Sequence, residues 1–380
     1  MHPLFSFSAI VAPLRHNITN RFFLCAPEFH GDADNDFMGI FARKKYTAAV
    51  VGLGRIGFSL GMDAKREQPA SHTMALMANR SIEIIAGADC DVNRADEWKS
   101  FMESKHLSLS VFYSSKELYA SVHPDIVVVA VNESSHLSEC IDAIQSRPSL
   151  VILEKPVALD TAEAMKIRDA ASEFSVPVMV NHERRFSADY IAARNFLPRI
   201  GDVQRVRAEL DSGLRVYAPQ FEKDGSYSLI HDGTHLVDIV RFLLGAELSS
   251  PRVTGIFRDK DGIVRNFTAH YATSRIPDIE ISMSGRSKFF SFGIDILGTL
   301  GRICIGNGYA KFYERRESKL YTGFYSLSNA KIRVPKKTGY FSNMVQNAVD
   351  FLSARAPLVS PLDEAIADLR VLEEIKEQLK

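Results

Sequence analysis

The sequence predicts an α/β chain: an N-terminal, doubly wound parallel sheet, then a second α/β domain built on an open, mainly antiparallel sheet. Three observations lead there. Strand-like and helix-like stretches alternate from residue 46 to residue 180, the pattern of parallel strands joined by crossover helices. The first strand runs directly into Gly52, Gly54 and Gly57, spaced G-x-G-x-x-G, as in Rossmann-type sheets. Beyond residue 250 the strand-like segments succeed one another without helical stretches between them, which is how an antiparallel meander reads.

The chain has 380 residues, enough for two domains with separate cores. The expected division is an extension at 1–45, a dinucleotide-binding domain at 46–180, and a substrate and oligomerisation domain at 181–380. Lys plus Arg and Asp plus Glu each number 46, so no net field attracts a polyphosphate and nucleic acid is not an expected partner. No apolar run approaches the roughly 20 residues that span a bilayer. Cys25, Cys90, Cys140 and Cys304 are scattered without a C-x-x-C pair, which argues against a disulfide framework and a cysteine zinc site and fits a reducing cytoplasm. Leu4 to Leu14 lacks a basic flank and is a poor signal peptide. Met38 stands just before the first strand, so the extension is expected to be a flexible arm or to arise from a start upstream of the true one.

Thr47 to Val51 is an apolar run suited to a strand buried on both faces. Gly52 suits the tight turn, Gly54 leaves bare backbone for a pyrophosphate, and Gly57 lets the next helix pack close, its first N–H groups facing the phosphates. Taken alone, the triplet fits a plain strand-to-helix turn equally well. Ile82 to Ala88 is a second strand, and it ends at Asp89, where a carboxylate can accept hydrogen bonds from a ribose. The interval before Asp89 exceeds the usual ~20 residues. The excess, Leu60 to Ser71, carries Asp63, Lys65, Arg66, Glu67 and Pro69 and reads as a loop inserted beside the cofactor site, either a tolerated surface insertion or a flap over substrate.

Residues 93–105 have helical composition, 110–112 a brief strand, and 115–122 a helical turn. Pro124 to Val131 is the strongest strand, and its carboxyl end should lie beside the glycine turn, where such sheets bind ligands. A helix over 136–146 leads to the strand Leu150 to Leu153 and then to Glu154-Lys155-Pro156. A lysine at the exit of a buried strand can exchange protons when desolvated; the plainer reading is a surface lysine. Asp160 with Glu163 opens the next helix, and Val176 to Val180 is the last strand of this half.

Val203 to Leu210 alternates apolar and polar residues, as do segments near 253–257, 263–271, 279–283, 289–297 and 302–305. Two amphipathic helices close the chain, one through Phe341 to Leu352 and one through Leu362 to Leu379, with Ser360-Pro361 as N-cap and first residue. Between the two halves lies His231-Asp232-Gly233-Thr234-His235-Leu236-Val237-Asp238. On a helix His231 and His235 share a face, and Asp232 and Asp238 each stand three residues from His235. An imidazole held by such neighbours can take a proton from a hydroxyl. H-x-x-x-H also presents zinc ligands, but no third ligand stands at suitable spacing, so no metal is expected; a structural histidine pair is the plainer alternative.

These motifs together resemble the glucose-fructose oxidoreductase, inositol dehydrogenase and MocA family of nicotinamide-dependent oxidoreductases. The matches run in family order: VGLGRIG at 51–57, the strand ending at Asp89, VVVAVNESSH at 127–136, EKP at 154–156, NHERRF at 181–186, GTHLVD at 233–238 and LGTLGRICI at 297–305. The resemblance implies NAD, with NADP disfavoured by Asp89, bound by Gly52, Gly54, Arg55, Ile56, Gly57, Asp89, Asn132, His136, Glu154 and Lys155. It implies Lys155 as the residue that orients and polarises the reacting hydroxyl or carbonyl and His235 as the catalytic acid/base, the two meeting over the nicotinamide, and Arg185 and Asp232 as substrate contacts. Where the family commonly has an aspartate, four residues before the histidine, this chain has His231, so either His231 orients His235 or Lys155 becomes the main proton donor. The implied reaction is hydride transfer to or from a carbinol carbon of a sugar, cyclitol or nucleotide-linked sugar, in a homodimer or homotetramer. The alternatives are a dinucleotide-binding sensor without turnover, and an enzyme that uses bound NAD transiently in glycoside cleavage through a 3-keto intermediate.

Overall fold

The fold is that of a computed structural model which describes residues 45–212 and 226–380; the expectations for residues 1–44 lie outside the described residues. Its first sheet has six strands: β1 (Tyr46–Val51), β2 (Ile82–Ala88), β3 (Ser110–Phe112), β4 (Ile126–Val129), β5 (Leu150–Leu153) and β6 (Val178–Val180). They lie in the order β3-β2-β1-β4-β5-β6, and every neighbouring pair is parallel. Winding reverses between β1 and β4, and the crossover connections leave in opposite directions there, which opens a crevice at the carboxyl ends of those two strands.

Helices cover both faces, as a parallel sheet requires. One face is packed by α1 (His72–Ala78), α2 (Val92–Ser104) and the late helix α8 (Tyr340–Leu352). There Trp98 is fully buried, its indole N–H donating to Thr73 Oγ1 at 3.0 Å. Gly87 makes room for that ring: a Cβ at this position would stand 2.8 Å from it. The other face packs against α3 (Ser115–Ser121), α4 (His136–Gln145) and α5 (Thr161–Phe174), and its apolar core continues into the second half.

The chain after Gly57 differs from a simple strand-turn-helix. One irregular turn, held by Phe58 N–H to Gly54 O at 2.8 Å, leads to a short 3-10 helix (Ser59–Met62), and α1 begins only at His72. The insertion between them is tethered: the Glu67 carboxylate accepts from the N–H groups of Thr338 at 2.8 Å and Gly339 at 2.5 Å, just ahead of α8. An anchored carboxylate of this kind fits a fixed loop better than a moving flap.

The second sheet has eight strands in the order β14-β13-β12-β11-β7-β10-β9-β8. They are β7 (Val203–Asp211), β8 (Arg252–Arg258), β9 (Val264–Tyr271), β10 (Ile279–Ser284), β11 (Ser291–Gly298), β12 (Gly301–Gly306), β13 (Tyr309–Glu317) and β14 (Tyr325–Asn329). Every pair is antiparallel except β7 with β10. Its inner residues, among them Val206, Ala208, Ile281, Ile294 and Ile303, pack beneath α6 (Ala188–Phe196), α7 (Ser226–Leu244) and α9 (Leu362–Gln378). The N-cap of α9 is Pro361 rather than Ser360, because the Ser360 carbonyl accepts from Val180 N–H at 3.0 Å and is thereby tied to β6. No helix among the described residues is long and apolar enough to cross a membrane.

Candidate active site

The glycine turn at the end of β1 is a cradle that side chains would fill. Gly52 has φ +92°, and a Cβ there would meet Ala130 O at 2.5 Å; at Gly57 it would lie 1.9 Å from Gly52 O. Both close approaches require glycine. Gly54 faces open space, with only the Arg94 guanidinium near its Cβ position, at 3.5 Å, while Arg55 is exposed and Ile56 half-buried beside it. Asp89 joins this turn to the end of β2: it accepts from Leu53 N–H at 2.8 Å through Oδ2 and from Asp91 N–H at 2.9 Å through Oδ1. Two of its four acceptor positions are thereby used, and the others stay available to a ribose hydroxyl. The bare cradle and its acidic rim fit an adenine dinucleotide.

Across the crevice, β4, β5 and β6 deliver Glu133, Glu154-Lys155 and Asn181-Arg184, and α7 presents His231 and His235 from above. Lys155 Nζ donates to His231 O at 3.4 Å. His231 Nδ1 lies 2.7 Å from Glu133 Oε1, and Arg184 Nη1 lies 2.9 Å from His235 Nδ1. Glu154 is buried, and its Oε1 accepts from His72 Nε2 and Asn181 Nδ2, both at 2.6 Å. Burial alone would raise the Glu154 pKa. The hydrogen bonds from His72 and Asn181 and the charge of Lys155 outweigh burial and hold it below the usual carboxylate value. His235 moves the other way: burial, then the charges of Lys155, Arg184, His231 and His182, push its pKa well below that of free histidine, so the ring is neutral near pH 7.

Lys155, His231 and His235 are therefore brought together, and Asn132 is exposed at the carboxyl end of β4. Four other expected positions fall elsewhere. Arg185 is 3% exposed and its guanidinium donates to Asp238 at 2.6 Å, Glu364 at 3.0 Å and Val359 O at 3.2 Å; it braces α7 and α9 and is not presented to a substrate. Asp232 lines a cavity of about 30 Å³ under the second sheet with Ser212 and Arg265. His136 is 1% exposed and its ring nitrogens face Pro156 O at 2.6 Å and Val131 O at 3.3 Å, so it braces the loop that carries Lys155. Asp238 does not orient His235 either, because it pairs with His182 Nδ1 at 2.8 Å.

Reading the sequence missed Arg184, Glu133, His72 and Asn181. Arg184 is the near neighbour of a residue that was singled out, and Glu133 lies inside a motif that was; His72 carried no signal, because its partner Glu154 stands 82 residues further along the chain. Among the described residues, His182, Asp238 and Asp368 have metal-ligand spacing and are buried. Arg185 and Arg241 already neutralise these carboxylates, Arg241 reaching Asp368 at 2.7 Å. His182 and Arg185 hold Asp238 down to about 2 against its burial, whereas burial and the Asp238 charge push Asp368 well above the carboxylate range. That arrangement is a buried ion network, with its positive charge supplied by guanidinium groups.

Residues 46–182 match the model of the GFO_IDH_MocA group, described as an oxidoreductase family with an NAD-binding Rossmann fold. A putative UDP-kanosamine synthase oxidoreductase subunit from Amycolatopsis mediterranei (strain S699) is 30% identical over 204 residues, 52% of this chain and 51% of that protein. Inositol 2-dehydrogenase from Rhizobium meliloti (strain 1021) is 23% identical over 208 residues, 54% of this chain and 57% of that protein. The chain thus spans about half the length of the curated relatives it matches. The crystal structure of the WlbA dehydrogenase from Bordetella pertussis in complex with NADH and UDP-GlcNAcA superposes with a TM-score of 0.69 at 16% identity, covering 88% of this chain and 96% of that one. At that identity the likeness is one of fold.

Proposed function

We propose, from the match of residues 46–182 to the model of an oxidoreductase family with an NAD-binding Rossmann fold, that this protein is an NAD-dependent dehydrogenase or reductase acting on a carbinol carbon of a sugar, cyclitol or nucleotide-linked sugar. The observation that carries the reading is that Lys155 Nζ, at the carboxyl end of β5, reaches α7 at His231 O, one helical turn before His235. Bound NAD would supply the hydride acceptor or donor. The chain's own residues do the remainder. Gly52, Gly54, Gly57 and Asp89 would hold the dinucleotide, and Glu154, fixed by His72 and Asn181, anchors the strand end that carries the neighbouring Lys155. Lys155 and His235 face the oxygen on which charge develops, so that positioning and electrostatics share the rate enhancement.

The test is a screen of free sugars, inositols and nucleotide sugars, read by absorbance of the reduced nicotinamide, with NAD and NADP in parallel. Turnover with one class and a preference for NAD is expected. In Asp89→Ser that preference should shrink by roughly tenfold or more, the worth of a hydrogen bond to a charged group. Product formed without net cofactor reduction, or silence across all three classes, would overturn the assignment. A preference for NADP in the parent protein would remove Asp89 as the ribose reader.

Homo-oligomer formation through the outer face of the second sheet is part of the same reading. That face carries cross-strand charge pairs, Arg302 with Asp295 at 2.5 Å and Arg207 with Glu280 at 3.0 Å, which favour a polar, specific contact over casual association. Light scattering at micromolar concentration should give a dimer or tetramer; a monomer sinks the idea.

A further inference from the structure

We propose that Arg184 is a positioning residue that fixes the His235 ring with its proton on Nε2, so that His235 donates a hydrogen bond to the reacting oxygen and cannot accept its proton. The inference rests on the proposed reaction but on separate evidence. A guanidinium has only donors, so the ring nitrogen 2.9 Å from Arg184 Nη1 must be an acceptor. That nitrogen is Nδ1, and a neutral imidazole carries its single proton on the other one. Arg184 is itself held in place. Its guanidinium carbon stacks 4.1 Å from the Phe292 ring centroid, Nη1 also reaches Glu183 at 3.3 Å, and the side chain is 13% exposed. The groups that act on His235 from the elements around it are Lys155, Arg184, His231 and His182; positive charge among them opposes a second ring proton.

A consequence follows for the proton. To act as base, His235 would have to bind a proton at Nδ1, against Arg184; to give up its Nε2 proton would leave an imidazolate. Its task is to stabilise the oxygen, as neutral histidines do at carbonyl centres. The proton passes instead at Lys155. With NAD bound, the oxidative direction would send the C–H hydrogen and its electron pair to it as hydride, while the O–H proton moves to the lone pair of the Lys155 amine, giving the ammonium, and a carbonyl remains. The reductive direction reverses each of these.

The test uses full-length protein with 15N-labelled histidine, with and without NAD. The two-bond nitrogen–proton spectrum gives each ring's tautomer, and the His235 signals are identified by their absence from His235→Asn. The expected result is one Nε2–H tautomer for His235, neutral from roughly pH 6 to 8. Arg184→Met should mix the tautomers and shift the acid limb of the activity profile to higher pH, because a cation that holds the ring neutral is gone; Arg184→Lys should restore the donor and the parent spectrum. An Nδ1–H tautomer or an imidazolium in the parent protein overturns the proposal even if Arg184→Met fails to fold, and so does an unchanged spectrum in a folded Arg184→Met. A correct spectrum in a protein that turns over none of the three substrate classes would leave the tautomer standing and remove the proposed reaction.

Discussion

Lys155→Ala and His235→Ala should each lower kcat by roughly 10²–10⁴, the range for loss of a group that transfers a proton to, or stabilises, the reacting oxygen. NAD affinity, measured by fluorescence titration, should change little, because the glycine cradle and Asp89 stand at the ends of β1 and β2, whereas Lys155 follows β5 and His235 lies on α7. The two variants separate by rescue. An added primary amine should restore part of the activity of Lys155→Ala, where a proton carrier is missing, whereas added imidazole should do little for His235→Ala, where an oriented donor is missing. Near-normal kcat in both variants with the true substrate would make the HDGTH segment structural.

Arg185→Met should cost about 3–5 kcal/mol of stability, the usual result of removing one partner from a buried ion pair. Asp238 would be left ionised at 1% exposure with His182 as its remaining near partner, and the bridge that Arg185 makes between Asp238 on α7 and Glu364 at the start of α9 would go, leaving Arg241 as the pairing from α7 to Glu364. The measurement is the denaturant midpoint. Arg184→Met, one residue away, should cost much less stability and should act on the pH profile instead. Comparable stability losses in the two variants would contradict the division of labour between these neighbours.

The parallel half of the fold was legible because its signals are local. A β-branched run bounded by polar residues, a glycine required by φ +92° at Gly52, and an acid at the end of the second strand are constraints that each segment carries in itself. The antiparallel half was legible in kind but not in order. Alternation marked β7 through β12, yet β7 sits between β10 and β11 and is parallel to β10, and pairing between distant segments leaves no mark on either strand's own pattern. β13 and β14 were missed: β14 is an edge strand with a largely exposed burial pattern, and β13 carries Tyr313, Glu314, Arg315, Arg316 and Glu317 where alternation would be read.

For the site, the sequence by itself determined which residue types stand at the strand ends: glycines after β1, Asp89 after β2, Glu154-Lys155 after β5, and two histidines one turn apart on α7. Tertiary structure alone decided which of two adjacent arginines serves the site. Residues 183–186 form a 3-10 turn, in which successive side chains point about 120° apart. Arg185 is therefore aimed into the ion network beneath α7 while Arg184 reaches His235. Which direction is the cleft depends on where α7 packs, and that is set by the apolar contacts of α7 with α9 and the second sheet, far from residues 184 and 185 in the chain.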